Sequence, residues 1–245
     1  MHITLTGSHG FIGTHVRKYL EANGHTVDCW DLLIQKDIGN FNIDPKSDLC
    51  IHLAAKADIR ESFSKPDLYW QENVAKCRTV FNECAKHNIR VIYASSSACI
   101  EWHRNPYALS KYVDEFIAPK DSVGLRFSTV WGDGANEYML ISKLKLGTIT
   151  YATTHTRDFI HVSDVVSAIQ TIMNNPEEQG VFDCGCGIAF KVDQLVAQNG
   201  YVVPVTEGED FELESNVLPS VELRALGWLP KVNVMEEKLN RNDKI

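Results

Sequence analysis

The chain has 245 residues, 44% of them hydrophobic and 23% charged, which argues against disorder and suits one large domain or a domain with an added lobe. The formal net charge of −8 repels polyanions, so we expect no nucleic-acid partner, although a local anion pocket stays open. No apolar stretch approaches the ~20 residues that span a bilayer, and MHITLTG lacks a signal-peptide pattern, which predicts a cytoplasmic protein with no membrane partner.

Strand-like apolar runs alternate with helical patterns along the chain. The runs lie at 3–7, 26–30, 48–55, 90–97, 123–131 and 180–185. The helical patterns lie near 11–23, 66–87, 106–117 and 163–174. Because the runs are continuously apolar, the order predicts an α/β fold of the Rossmann type, a doubly wound parallel sheet with helices on both faces. Between Trp30 and Asp48 the chain is long enough for a crossover but short for a full helix.

The first strand is followed by TGSHGFIG and then by an amphipathic helical pattern. In this context Gly7 allows a tight turn, Gly10 lets the backbone approach a pyrophosphate, and Gly13 lets the helix lie close to the strand. Asp31 ends the second strand, where a carboxylate accepts both ribose hydroxyls of adenosine and repels a 2′-phosphate. The pattern therefore favours NAD over NADP, and the alternative is a structural turn with a surface acid.

Tyr107 and Lys111 are spaced i, i+4 on a predicted helix and so share one face. A nearby ammonium favours phenolate, so we expect Lys111 to lower the pKa of Tyr107 towards that of a general base. The same spacing also occurs where a solvated lysine lies beside a half-buried tyrosine. The serines at 95–97 end the fourth strand, at the edge where parallel sheets bind ligands, and an ordinary strand-to-loop turn is their alternative interpretation.

The regular alternation ends near residue 131, which predicts two parts. Residues 1–131, completed by about 159–185, form the NAD-binding core. Residues 132–158 and 186–245 form a small, shortened C-terminal substrate lobe. The seven cysteines are scattered, and only Cys184 and Cys186 are close in sequence, so we expect small buried hydrophobes in a reducing compartment and no metal site.

The motifs TGSHGFIG, HLAAKADIRES, YALSK, LRFSTVWG, RDFIHVSD and LGWLP stand in the order found in extended short-chain dehydrogenases/reductases. Over roughly residues 1–230 the chain resembles nucleotide-sugar epimerases of the UDP-galactose 4-epimerase and UDP-glucuronate 4-epimerase type. The resemblance implies an NAD-dependent epimerase that oxidises a sugar hydroxyl transiently to a ketone and returns hydride to the opposite face. It also implies a nucleotide-sugar substrate.

The resemblance implies roles for individual residues. The implied catalytic residues are Ser97, Tyr107 and Lys111. The implied contacts with NAD are Gly7, Gly10, Phe11, Ile12, Gly13, Asp31, Asp37, Ile38, Leu53, Ala54, Ala55, Asn73, Ser95, Tyr107 and Lys111. The implied substrate contacts are Lys56, Arg60, Ser97, Thr129 and Arg157. For Arg157 the alternative is a local ion pair with Asp158, and for Lys56 and Arg60 it is a solvated surface charge.

The sequence departs from the family pattern at several positions. Thr129 and Asp183 stand where relatives usually have Asn, and the stretch between Ser97 and Tyr107 is shorter than in relatives. The acidic EGEDFELESN replaces a region where relatives often carry a second phosphate-binding arginine, and like charge weakens diphosphate binding. Elimination and decarboxylation lack the acid expected directly after Ser97, although Glu101 is close by.

Two alternatives to an epimerase stay open. One is a nucleotide-sugar reductase or dehydrogenase on the same scaffold, and the other is a binding module that keeps NAD without catalysis. The resemblance also implies a homodimer, built from the helix at 66–87 and the helix that carries Tyr107. Core packing explains the apolar positions of the first helix equally well; they are Leu68, Val74, Val80 and Phe81.

Overall fold

The computed structural model describes residues 1–236, so residues 237–245 of the predicted lobe lie outside the described residues. The first half contains β1 (His2–Thr6), α1 (Phe11–Ala22), β2 (Thr26–Trp30), β3 (Leu49–His52), α2 (Ile59–Ser64), α3 (Pro66–Tyr69), α4 (Lys76–Lys86), β4 (Val91–Ser96), α5 (Pro106–Ile117) and β5 (Val123–Phe127). The second half contains β6 (Thr129–Trp131), α6 (Leu140–Leu146), β7 (Ala152–Thr153), β8 (Thr156–Arg157), β9 (Phe159–His161), α7 (Val162–Asn174), β10 (Gly180–Cys184), β11 (Phe190–Lys191), α8 (Val192–Gln198), β12 (Val205–Thr206) and α9 (Val221–Ala225).

Six strands form one sheet in the order β10-β5-β4-β3-β1-β2, and every neighbouring pair is parallel. The order reverses direction beside β1, because β2 lies on one side of β1 and β3 on the other. This is the doubly wound arrangement, in which a crevice opens at the carboxyl ends of the strands next to the reversal. The predicted fold class is confirmed.

Helices cover both faces of the sheet. On one face the core joins Val16 and Leu20 of α1 with the apolar side of α7. On the other face Val80 and Phe81 of α4 pack on the sheet together with Ile38 from the connection after β2. Because both faces are covered, β1, β3, β4 and β5 are buried at most positions, and polar side chains such as Thr4 and His52 are buried with them. Of the apolar positions of the predicted 66–87 helix, Val80 and Phe81 belong to this core, Val74 is buried and Leu68 is half-buried.

Two predicted elements differ in detail, and a third is as predicted. The predicted strand 123–131 divides at Ser128, and its second part, β6, pairs with β9 instead of joining the sheet. The predicted helix 66–87 consists of α3, a π-helical segment at Trp70–Ala75 and α4. The connection from β2 to β3 holds only the short 3-10 turns Leu32–Ile34 and Ile38–Asn40, as its length predicted.

A smaller unit beside the sheet has its own core. Its strands form the pairs β7–β12 and β8–β11, and α6 and α8 pack with them. Trp131, Leu144 and Leu195 are among its most buried side chains. The unit therefore has an apolar interior that does not depend on the sheet, which lets it form the opposite wall of a cleft.

All seven cysteines are free, and six of them are buried, which confirms the prediction of small buried hydrophobes. Among residues 1–236 no helix is long and apolar enough to cross a membrane. The cytoplasmic location stays a prediction.

Candidate active site

A cleft of about 880 Å³ lies at the carboxyl ends of β3, β4 and β5, between the sheet and the smaller unit. It brings together residues that are far apart in sequence. The predicted site residues that line it are Phe11, Ile12, Leu53, Ala55, Lys56, Arg60, Ser95, Ser97, Tyr107, Lys111, Thr129 and Arg157. The remaining predicted residues do not line it; they are Gly7, Gly10, Gly13, Asp31, Asp37, Ile38, Ala54 and Asn73.

The glycine loop is packed so tightly that side chains cannot replace Gly7 and Gly13. Gly7 has φ +67°, and a Cβ there would lie 2.7 Å from the backbone nitrogen of Ala54. A Cβ on Gly13 would lie 1.9 Å from the carbonyl oxygen of Gly7. The helix that follows has no side-chain cap at Gly10 and no acidic residue in its first turn. Its first backbone amides are therefore available to an anion.

Asp31 lies beside this loop. Its Oδ2 accepts from the backbone N–H of His9 at 2.9 Å, and its Oδ1 accepts from Leu33 at 2.9 Å. Each carboxylate oxygen keeps further acceptor capacity, as ribose recognition requires. Asp37 accepts from Gly39 and pairs with Lys76 at 2.9 Å. Their contacts with a cofactor, like that of the buried Ile38, stay predictions.

Tyr107 lies in the first turn of α5 and is half-buried at the cleft. Burial raises the pKa of its phenol above the ordinary value, while the charge of Lys111 and a hydrogen bond with the Ser96 side chain lower it. The pKa of Tyr107 nevertheless lies above its ordinary value, because desolvation of the phenolate outweighs the effect of the ammonium. The direction of the lysine's own effect is as predicted.

The Lys111 ammonium is buried and bonds Asp114 Oδ2 at 2.6 Å. Burial by itself lowers the pKa of Lys111, but the Asp114 carboxylate, with smaller contributions from Cys77 and Tyr107, raises it above its ordinary value. The lysine is thus a permanent cation beside the phenol.

Two of the predicted polar side chains are fixed by protein contacts. Asn73 accepts from the backbone N–H of Lys56 at 2.7 Å and donates to Ser110 at 2.9 Å, so it ties the segment after β3 to α5. Ser95 donates to Glu115, which pairs with Arg126 at 2.7 Å. Contacts of Asn73 and Ser95 with a cofactor stay predictions.

Asn216 lines the cleft and places its amide beside Ser97 and Thr129. Its Oδ1 accepts from the backbone N–H of Asp158 at 2.8 Å, which fixes the side-chain orientation. Its Nδ2 then donates to Thr129 Oγ1 at 2.9 Å and to Ser97 Oγ at 3.5 Å. Because the Ser97 oxygen accepts here, its own proton is free to point elsewhere in the cleft.

Arg157 is paired with Glu212, not with Asp158. Its Nη2 lies 2.9 Å from Glu212 Oε2, and Arg60 Nη2 lies 3.3 Å from Glu212 Oε1. The Asp158 carboxylate instead accepts from backbone N–H groups, among them that of Gly187 at 2.9 Å. The local Arg157–Asp158 pair considered from the sequence is therefore wrong. Lys56 and Arg60 both face the cleft, and their substrate contacts, like that of Arg157, stay predictions.

Residues 3–185 match the model of the NAD dependent epimerase/dehydratase family, which is about three quarters of the chain. The chain belongs to this family. NAD is accordingly the cofactor of this chain, and the members of the family are enzymes of the epimerase and dehydratase type.

Individual relatives of the family are distant. Protein CapI of Staphylococcus aureus is 28% identical over 72% of this chain and 70% of its own length. UDP-glucose 4-epimerase of Caenorhabditis elegans is 25% identical over 96% of this chain and 95% of its own. That alignment spans 333 positions, so the relative carries segments that this chain lacks. The solved structure of MoeE5 in complex with UDP-glucose and NAD has a TM-score of 0.85 at 23% identity and covers 96% of this chain and 95% of its own, which shows the shared fold.

The residues present fit a dinucleotide. The uncapped start of α1 suits a pyrophosphate, and the close approach at Gly7 and Gly13 keeps that position open to the backbone alone. The carboxylate of Asp31 lies beside this loop, and the cleft runs on from Phe11 to Tyr107 and Lys111. Among residues 1–236 no group of three or more His, Cys, Asp or Glu side chains is arranged to hold a metal ion.

Four residues at the site were missed from the sequence. Asp114 follows Lys111 by three residues on one helix face, so the spacing of α5 could have shown it. Ser96 belongs to the serine run, but its contact with Tyr107 depends on how the strand ends. Asn216 and Glu212 come from a distant segment, and no local pattern links them to Ser97 or Arg157.

Proposed function

We propose that the chain is an NAD-dependent nucleotide-sugar epimerase. The observation that carries the proposal is that the Ser97 hydroxyl, the Tyr107 phenol and the Lys111 ammonium line one cleft, together with residues of the glycine loop. A proton-transferring phenol beside a buried cation is what reversible oxidation of an alcohol requires. The similarity to a UDP-glucose 4-epimerase over nearly the whole chain supports the same reaction type and a nucleotide-sugar substrate.

Each of the three residues has a separate task in this proposal. Tyr107 takes the proton of the reacting sugar hydroxyl and later returns it, and the ammonium of Lys111 stabilises the phenolate that exists in between. Ser97 donates a hydrogen bond to the sugar oxygen, since the 3.5 Å contact that its oxygen accepts from Asn216 leaves the hydroxyl proton free. NAD, when bound, supplies reversible hydride acceptance at this position.

Elimination has less support from the same cleft. A dehydratase needs an acid or base beside the hydroxyl of Ser97, and the candidate is Glu101. The Glu101 carboxylate forms an ion pair with Arg104, which lies three residues further along the chain. The Glu101 carboxylate is thus paired with a cation and is not held as a free acid.

Turnover of nucleotide sugars tests the proposal. The purified protein is incubated separately with UDP-, GDP-, dTDP- and ADP-sugars, and proton NMR follows the appearance of a second stereoisomer. We expect at least one sugar to equilibrate with its epimer without net formation of NADH. Stoichiometric consumption of NADH would instead indicate a reductase, and no turnover of any sugar, with NAD bound, would indicate a binding module.

We also propose a homodimer that uses α5. Leu109, Tyr112 and Phe116 lie on one exposed side of this helix, and Trp102 stacks on Tyr112 with the ring centroids 5.3 Å apart. Phe116 is 84% exposed, although large aromatic side chains are rarely left in water. The face is contiguous and apolar, as an interface between copies requires.

A further inference from the structure

Residues 207–216, here called the acidic strap, lie along the mouth of the cleft. Arg104 Nη1 donates to the carbonyl of Asp210 at 2.6 Å, and Asn105 Nδ2 donates to that of Phe211 at 2.9 Å. The Phe211 ring packs on Phe63 of α2, with the centroids 4.8 Å apart. The strap thus connects the smaller unit to the sheet side of the cleft.

Glu212 of the strap inserts its carboxylate between two arginines. Its oxygens lie 2.9 Å from Arg157 Nη2 and 3.3 Å from Arg60 Nη2, and one lies 3.7 Å from His155 Nδ1. The Glu212 side chain is only 20% exposed and that of Arg157 only 15%. Both guanidinium groups that face the cleft here are therefore already bound to an anion.

The contacts of Glu212 with Arg157 and Arg60 differ from the other ion pairs at the cleft. Lys111 and Arg104 each pair with an acid only three residues away along the chain, so those pairs are set by local structure. Glu212 reaches Arg157 from 55 residues away and Arg60 from 152 residues away. Its contacts are lost if the strap or the side chain shifts, and no helix has to unfold.

We propose that Glu212 occupies the diphosphate position of the cleft and that a nucleoside diphosphate binds by replacing this carboxylate between Arg60 and Arg157. The inference rests on the proposed function, in which the substrate is a nucleotide sugar. Guanidinium groups bind carboxylate and phosphate with the same paired geometry, so one anion can take the place of the other. A diphosphate carries more charge and more acceptor oxygens than a single carboxylate, and it displaces the carboxylate for that reason. Glu212 thereby sets how strongly anionic a ligand must be to enter.

Binding of UDP tests the inference without any turnover. Isothermal calorimetry with UDP is performed on the NAD-saturated protein, so that the glycine loop is already filled. Glu212→Gln keeps the size of the side chain but removes the competing charge, and we expect about fivefold tighter binding of UDP, the size of a weak ion pair. Glu209→Gln is the matched control, because Glu209 lies in the same strap, is exposed and changes the net charge equally.

Each outcome decides the inference. Tighter binding of UDP in Glu212→Gln alone supports it. The gain should disappear when Arg157→Gln is added, since the anion position then lacks one of its two guanidinium groups. Unchanged or weaker binding in Glu212→Gln, an equal gain in Glu209→Gln, or no UDP binding to any variant overturns it. Failure of every sugar to turn over while Glu212→Gln binds UDP more tightly refutes the epimerase and leaves the anion exchange intact.

Discussion

At the active site, Lys111 depends on a partner that lies on its own helix. Asp114 is fully buried and bonds the lysine at 2.6 Å, so the two charges compensate each other away from the protein surface. A buried ion pair does not stabilise a fold strongly, but removing one partner leaves the other charge unpaired. Asp114 therefore keeps Lys111 charged and in place beside Tyr107.

Asp114→Asn is expected to lower the free energy of unfolding by about 3 kcal/mol, because the Lys111 ammonium loses its counter-charge inside the protein. Urea unfolding measures the change. In the double variant Lys111→Met/Asp114→Leu both charges are gone, and we expect a smaller loss of stability than in the single variant. A double variant less stable than Asp114→Asn would show that the pair contributes more than mutual compensation.

Tyr107→Phe is expected to reduce turnover at least about 100-fold, since the phenolic oxygen carries the proton transfer. The steady-state rate with the sugar identified in the NMR panel measures the effect. Tyr112→Phe is the control, because Tyr112 lies on the same helix but on its exposed side, stacked on Trp102. Equal rates for Tyr107→Phe and the unmodified protein would contradict the assigned role.

At the scale of elements, β1 and β3 are joined inside the core by a polar contact. His52 Nδ1 lies 2.6 Å from Thr6 Oγ1, and both residues are buried. Burial, with a smaller contribution from the charge of Lys111, lowers the pKa of His52 from 6.5 to about 3. The imidazole is therefore neutral in the folded protein at any pH well above 3.

This burial makes stability depend on pH. Between the two pKa values the unfolded chain binds a proton that the folded chain does not, so the free energy of unfolding falls as the pH drops below 6.5. For His52 alone the expected loss between pH 7 and pH 5 is about 2 kcal/mol. Urea unfolding at both pH values should show a smaller loss in His52→Gln, and an equal loss in the two proteins would contradict the assignment.

The elements that could be predicted from the sequence are those specified by local pattern. The glycine loop, the alternation of apolar runs with helices and the short connection after Trp30 all follow from neighbouring residues, and the structure confirms them. The break at Ser128 could not be predicted, because β6 leaves the sheet to pair with β9, a strand about 30 residues further along. The contacts of Glu212 with Arg157 and of Asn216 with Ser97 could not be predicted either, because the partners lie 55 and 119 residues apart in the sequence.

At the scale of the whole molecule, the exposed face of α5 predicts a dimer. Light scattering after size exclusion should give twice the chain mass, and Phe116→Glu should give a monomer, because a charge cannot be buried unpaired in an apolar interface. Val202→Glu is the control, since Val202 is fully exposed on the smaller unit. A monomer in the unmodified protein would contradict the dimer, and a dimer in Phe116→Glu would contradict the assigned face.

The whole account depends on where NAD lies relative to the phenol of Tyr107. A crystal structure of the protein with NAD measures this directly. We predict the pyrophosphate at the backbone amides of Phe11 and Ile12, the adenosine ribose at Asp31, and the nicotinamide in contact with Tyr107. An empty cleft, or a nicotinamide ring on the far side of the sheet from the Tyr107 oxygen, would contradict the account.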